Sequence, residues 1–276
     1  MRKTTNNMNH LLVYILLVMF AVIVLFPLLY TVLQAFMNPT QSTLYPPKLI
    51  PESWYFGNIE NVFSLIPVGT FISNSFITAT AIMVGQVCIA SMAAYAFVYI
   101  KFPFKKFWFI LFLSTMMVPW EVTIIPNYLT IKSWDWLDSY QGLTIPFLAS
   151  AFGVFLLRQF FLQLPKELFE AARIDGAGHL RHYATIVLPL SRPAIASLSV
   201  YVFLNSWNMY LWPLLTTNSE KMRTVQIGVS MLQFEEMSSW NNLLAGVMVV
   251  LLPSLLLLVL GLKQLVRGIT AGAVKG

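Results

Sequence analysis

Leu11 to Phe36 reads LLVYILLVMFAVIVLFPLLYTVLQAF, twenty-six residues without one Asp, Glu, Lys or Arg. A bilayer core about 30 Å thick needs roughly twenty apolar residues in helical form, because a chain out of water has to satisfy its own backbone hydrogen bonds. The stretch therefore predicts a membrane-crossing helix. Arg2 and Lys3 precede it in the manner of a signal peptide, but it is too long for a cleaved apolar region and no small-x-small site follows. It reads as a retained helix.

Working outward, five more apolar runs of similar length follow: Thr70 to Val98, Phe107 to Ile131, Tyr140 to Leu162, Ile186 to Trp212 and Asn242 to Leu262. With 58% hydrophobic and 10% charged residues and a mean hydropathy of +0.71, the chain is far from soluble composition. The expected fold is all-α and integral to the membrane, with six transmembrane helices and no separate soluble domain. The 14% aromatic content excludes a disordered chain. A single cysteine, Cys88, excludes a disulfide framework and a cysteine-based metal site. Pro119, Pro126, Pro146 and Pro253 are expected points of bending, since each lacks a backbone donor.

The formal charge of +6 sorts by side. Lys and Arg are retained preferentially in cytoplasmic loops. With the N-terminus inside, thirteen of the seventeen basic residues fall on the inner side, against Glu167, Glu170 and Asp175. Outside remain Lys48, Lys132, Lys221 and Arg223, against Glu52, Glu60, Asp135, Asp138, Glu220, Glu235 and Glu236. Both termini are thus expected to be cytoplasmic. Basicity is explained by topology, and no nucleic-acid partner is needed.

Between the fourth and fifth runs, Leu164 to Thr185 reads LPKELFEAARIDGAGHLRHYAT. Pro165 suits the start of a helix, Lys166 to Ile174 are mostly good helix formers, and Gly176 and Gly178 interrupt where a helix would end. Leu168, Ala171, Ala172 and Asp175 share one side, and Phe169, Ala172 and Arg173 the next. A helix this rich in small and apolar residues, facing water, calls for a covering surface.

Glu170-Ala171-Ala172, Gly176 after three residues, and Ile186-Val187-Leu188-Pro189 after nine more meet every specified position of the pattern E-A-A-x3-G-x9-I-x-L-P. In this the chain resembles the permeases of binding-protein-dependent ABC importers. Met117-Val118-Pro119, Arg158-Gln159-Phe160-Phe161, Trp207-Asn208 with Trp212-Pro213, and the tail Val266-Arg267-Gly268 to Lys275-Gly276 resemble the carbohydrate branch. The likeness is greatest to the second, six-span permease of maltose-type importers. It implies a type-1 transmembrane domain over Thr70 to Leu262, with the loop acting as a coupling helix that docks on a separate ATPase. The coupling residues it implies are Glu170, Ala171, Ala172, Asp175, Gly176, Leu188 and Pro189. The implied partners are a second homologous permease, two ATP-binding subunits, an extracytoplasmic solute-binding protein and a carbohydrate substrate, in a bacterial or archaeal cytoplasmic membrane. ATP and Mg would be bound by the partner ATPase, with no cofactor in this chain.

The residues agree with a subunit that lacks its own energy source. No G-x-x-x-x-G-K-[S/T] stretch is present to cradle phosphates, and Asp175-Gly176-Ala177-Gly178 follows a helix and lacks the third glycine of a dinucleotide turn. His179 and His182 stand three apart without an evident third metal ligand. No nucleophile–base pair suggests an enzyme. An ion-coupled secondary transporter would be expected to show several buried carboxylates, and only Glu121 lies within a span.

Candidates for a translocation path are Glu121 and the stripe Tyr201, Asn205, Asn208 and Trp212, which recurs at i, i+4, i+7 and i+11. Amides beside flat aromatic faces suit a neutral, hydroxyl-rich ligand; an interfacial aromatic belt and helix-packing amides are the alternative. Asn74, Thr78 and Gln86 are weaker candidates of the same kind. Apart from Arg158 and Arg192, which count with the inner side, the spans hold no Lys or Arg. That favours a neutral sugar over an anion such as glycerol phosphate; the alternative is the same type of importer for sn-glycerol 3-phosphate or another polyol, with the cation supplied by the partner permease. Pro213 to Trp240, polar with aromatic and Met residues, is the segment expected to meet the binding protein.

Overall fold

The computed structural model describes residues 2–42, 44–46, 48–235 and 240–271. Glu236, Lys275 and Gly276, which enter the charge distribution and the tail, lie outside them. Every regular element among the described residues is a helix. The longer ones, in chain order, are α1 (Arg2–Ala35), α2 (Gly57–Leu65), α3 (Val68–Tyr99), α4 (Lys105–Ser114) and α5 (Trp120–Ser133). There follow α6 (Ala151–Phe161), α7 (Lys166–Ile174), α8 (Arg192–Trp207), α9 (Val225–Glu235) and α10 (Trp240–Ala271).

Two helical stretches, His10–Ala35 and Val68–Tyr99, are long and apolar enough to cross a membrane unaided, and the number reaches five if each bent pair is one span. The other stretch, within α10, contains the shorter apolar helix Trp240–Leu256. The third, fourth and fifth apolar runs are broken helices, bent by 95°, 48° and 78°. Local chemistry accounts for each break. Val118 precedes Pro119, whose ring disfavours helical backbone there, and Val118 is extended at φ −86°, ψ 114°. Pro146 lies in a short 3-10 turn, after which Ser150 starts α6 by accepting the Gly153 N–H at 3.2 Å. The third break falls at Ser191, just ahead of Pro193, which sits in the first turn of α8 and cannot donate to the carbonyl of Pro189; Pro189 itself lies within the preceding helix, where the turn Tyr183–Val187 widens to a π-helix. Pro126 and Pro253 sit inside uninterrupted helices.

The chain divides into two compact units. The first contains residues 1–68 and 228–252. Here the end of α1 would leave orphan carbonyls, and two buried amides take them. Asn58 Nδ2 donates to Ala35 O at 2.9 Å and Met37 O at 2.8 Å. Asn241 Nδ2 donates to Gln34 O at 2.9 Å and Met37 O at 3.3 Å, while its Oδ1 accepts from Ser42 Oγ at 2.7 Å.

The second unit contains residues 69–227 and 253–276. Its core joins Ile82, Ala90 and Ala94 of α3 to Val154, Leu157 and Phe161 of α6 and to Ala194, Leu198 and Val202 of α8. Gly153 permits the approach: a Cβ there would lie 3.2 Å from Ala90 Cβ and 3.4 Å from Leu198 Cδ2. Small residues at such contacts let helices pack by dispersion where lipid removes the hydrophobic drive.

Both ends of α3 are tied by polar groups. At its start, Asn74 Nδ2 donates to the carbonyls of Lys221 (2.8 Å) and Arg223 (2.9 Å), and its Oδ1 accepts from Tyr140 Oη at 2.7 Å. Beside it, Asp138 Oδ1 accepts the N–H groups of Asn218 and Ser219, each at 2.7 Å.

Replacing Asn58 by Ala leaves the Ala35 and Met37 carbonyls short of a buried donor. Stability is expected to fall by roughly 2–4 kcal/mol, read as a lower midpoint in thermal unfolding of the detergent-purified protein. An unchanged midpoint would show that the amide contributes nothing.

Candidate functional site

A cavity of about 450 Å³ opens in the second unit among α3, α8 and the two bends that follow α4 and precede α6. Gln86 of α3, Tyr201 and Asn205 of α8, Trp120 at the start of α5, and Ser150 at the start of α6 supply its polar and aromatic character. No charged side chain belongs to this lining. Gln86 lies twelve residues from Asn74 and nine from Tyr95, so at 1.5 Å per residue it sits ~18 Å from one polar tie of α3 and ~14 Å from the other. The cavity therefore lies near the middle of α3.

Of the expected stripe, Tyr201 and Asn205 reach this cavity. Asn205 Nδ2 donates to Tyr201 O at 2.9 Å, and Phe152 packs on the Tyr201 ring at 4.9 Å between centroids. Asn208 is the residue at which α8 ends; its Nδ2 donates to Leu204 O at 2.8 Å, and its Oδ1 accepts from Gln226 Nε2 at 3.3 Å. Trp212 departs from the stripe because the helix stops at Trp207 and a new one starts at Leu211. It is 1% exposed, packs with Ile124, Ile131 and Leu143, and donates Nε1–H to Gly142 O at 3.0 Å. Glu121 is exposed in the first turn of α5, beside the 95° bend, where the helix N-terminus favours a carboxylate. It does not join the cavity lining.

Three lining residues with hydrogen-bonding side chains, Trp120, Ser150 and Ser206, were not singled out from sequence. Trp120 carried a signal, being the first helical residue beyond Pro119. Ser150 and Ser206 carried none, since a lone serine in an apolar run is ordinary.

The second constellation is the loop that carries the E-A-A pattern. α7 ends in a paired motif in which Ala177 N–H donates to Ala172 O at 2.9 Å and Gly176 N–H to Arg173 O at 3.1 Å. Gly176 has φ +74° with open space around it, so the residue is required by backbone conformation and not by crowding. Ala172 is buried and Phe169 stacks on Tyr99 at 5.1 Å and 20°. Glu170, Ala171, Asp175 and Gly176 are exposed together, with Leu168, Ile174 and Leu180 also presented to the surroundings. Beyond the π-turn, Leu188 is half-buried and Pro189 exposed, leading through buried Ser191 into α8. One face of the loop is thus covered by the second unit and the other is open.

A helical chain with broken apolar helices, an uncharged cavity near the middle of α3 and an open loop bearing the E-A-A pattern defines a membrane transport subunit. Residues 86–269 match the family described as binding-protein-dependent transport system inner membrane component. The chain is 39% identical over 264 residues to the sn-glycerol-3-phosphate transport system permease protein UgpE of Yersinia enterocolitica, covering 93% of this chain and 94% of that one. It is 40% identical over 278 residues to the protein of the same name in Brucella melitensis, covering 97% of each. Its fold superposes with a TM-score of 0.82 on a chain of a bacterial ABC transporter involved in the import of the acidic polysaccharide alginate, at 21% identity and over 94% and 97% of the two chains. This protein belongs to the binding-protein-dependent importer permeases, a family of transport subunits in the membrane.

Trp212→Phe keeps an aromatic ring in the packed cluster but removes the donor to Gly142 O. A stability loss of about 1 kcal/mol is expected, with transport by the assembled complex unchanged once corrected for its amount. Loss of transport at full stability would return Trp212 to the path.

Proposed function

We propose that this chain is the permease subunit of an ATP-driven importer of a neutral sugar or oligosaccharide. It pairs with a second homologous permease and two ATP-binding subunits, and an extracytoplasmic binding protein delivers the substrate. The termini and the loop at 164–185 are cytoplasmic. The observation that carries the substrate class is the cavity wall: Gln86, Tyr201, Asn205 and Trp120 offer amides, a phenol and an indole, with no cation in the lining. Amide donors and acceptors match hydroxyls, and flat rings match the apolar faces of a sugar. A phosphate would want Arg or Lys at hydrogen-bond distance.

The relatives' names favour a second reading, sn-glycerol 3-phosphate, with the phosphate neutralised by the second permease. The two readings part in reconstituted vesicles holding the whole complex. ATP-dependent, vanadate-sensitive uptake of labelled maltotriose, reduced about tenfold by Asn205→Leu, supports the sugar. Uptake of labelled glycerol phosphate, unaffected by excess maltotriose, decides for the anion.

The open face of α7 is assigned to the ATP-binding subunit. Glu170 supplies a carboxylate for a cationic partner, Ala171 allows close approach, and Gly176 sets the turn after the helix. Glu170→Ala and Gly176→Ala are expected to insert normally yet lose more than about tenfold in uptake per ATP hydrolysed. Unaltered uptake with normal ATPase association in both would sink the assignment.

A further inference from the structure

His179 and His182 stand on the first turn after α7, and both converge on one phenol. Tyr95 Oη, near the far end of α3, lies 3.2 Å from His179 Nδ1 and 3.1 Å from His182 Nδ1. A phenol has one proton to give and accepts through its oxygen, while a neutral imidazole donates from one nitrogen and accepts at the other. Both contacts are hydrogen bonds and the phenol proton also has an acceptor only when one imidazole donates Nδ1–H to Tyr95 and the other receives the Tyr95 proton. That requires the accepting imidazole to be neutral. Once it is protonated, both Nδ1 atoms are donors aimed at one oxygen and the phenol proton has lost its acceptor.

The surroundings make that loss costly. His182 and Tyr95 are 3% and 5% exposed. Phe169 of α7 stands perpendicular to the His182 ring at 4.4 Å, and Tyr99 of α3 at 5.2 Å. The titratable and charged groups facing the pair are Tyr95 and Tyr99 from α3, Tyr183 from the following turn, and Arg173 of α7, whose guanidinium lies 5.8 Å from the Phe169 ring. The Tyr99 hydroxyl is engaged by Phe161 O of α6 at 3.1 Å, and that of Tyr183 by Ser91 Oγ at 2.7 Å. Among the described residues no carboxylate acts on His182, so an imidazolium there has no counter-ion.

We propose that Tyr95, His179 and His182 form a proton-sensitive latch that fastens the 179–187 segment to α3 while the accepting imidazole is neutral and releases it on protonation. The consequence for transport rests on the coupling role proposed for this loop; the latch itself does not. Burial first, and the charge of His179 second, hold the His182 imidazole below its ordinary 6.5. A value depressed in the fastened state means that the released segment takes up protons first. The latch is therefore complete above pH 6.5 and weakens as pH falls through and below it.

Hydrogen exchange followed by mass spectrometry on the full complex in nanodiscs tests this, at about pH 8 and about pH 5 and corrected for intrinsic exchange. Protection of the backbone N–H groups of 179–187 is expected to fall about tenfold in acid. The double variant His179→Gln, His182→Gln is expected to lose that pH response. Tyr95→Phe is expected to show low protection at both values. Protection in the unaltered protein that does not change with pH overturns the latch, as does a pH response that survives in the double variant or in Tyr95→Phe. Uptake per ATP hydrolysed in the complex carrying Glu170→Ala judges the coupling role separately. An unaltered ratio there sinks the coupling role and leaves the exchange result standing.

Discussion

The structure depends on one constraint: in lipid, a backbone N–H or C=O has to find its partner within the protein. Continuous helices meet it automatically, as α3 does. The chain breaks beside Pro119, Pro146 and Pro193, and after the second of these Ser150 caps the start of α6. The same breaks build the cavity. Trp120, Pro146, Phe147, Ala149 and Ser150 all lie at the first two bends, and they line the cavity with Gln86 of the continuous α3 and Asn205 of α8. Irregular backbone at membrane depth is tolerated where it lines a cavity. The prolines thus place non-helical backbone where a polar ligand can be met.

α3 then acts as the fixed member of the second unit. Three polar stations lie along it, Asn74, Gln86 and Tyr95, at 3%, 8% and 5% exposure. About 32 Å separates the first from the last at 1.5 Å per residue, close to the thickness of a hydrocarbon core. The outer two stations are bound to loops of this same chain, so their polarity is satisfied by geometry within the subunit. The middle one faces the cavity. On the proposed reading, this buried amide is the station of α3 open to a ligand.

Sequence made the helical class, α3, α7 and Gly176 legible, because each is a local statement. Hydropathy counts residues over a window, and Gly at the end of a helix reports a backbone angle at a single position. The bends were legible only as sites of strain. Pro119 and Pro146 mark breaks while Pro126 and Pro253 do not, since whether a helix absorbs a proline depends on what packs against the freed carbonyl. Trp212 was misplaced on the stripe because helical spacing was extended across Asn208, where the helix had ended. Asn58 and Asn241 carried no pattern at all: their carbonyl partners lie more than twenty and more than two hundred residues away in the chain. The Tyr95 latch is of the same kind, 84 and 87 residues from its histidines.

These long-range ties decide how a push on the loop would reach the cavity. On the proposed reading, a partner ATPase moves α7. The loop has two connections to the cavity wall. One is non-covalent and runs through the Phe169–Tyr99 stack, Tyr95 and the Tyr183–Ser91 hydrogen bond to α3 and so to Gln86. The other is covalent, through the π-turn and Ser191 into α8, which carries Tyr201 and Asn205. With both fastened, α3 and α8 travel together and the distance between Gln86 and Asn205 is preserved. With the first released, α8 alone follows the loop, and the two walls of the cavity separate. On that reading, access to the cavity follows from the difference between these motions, and the contacts at the foot of α3 would matter to transport although they lie ~14 Å from the residues that would touch the substrate.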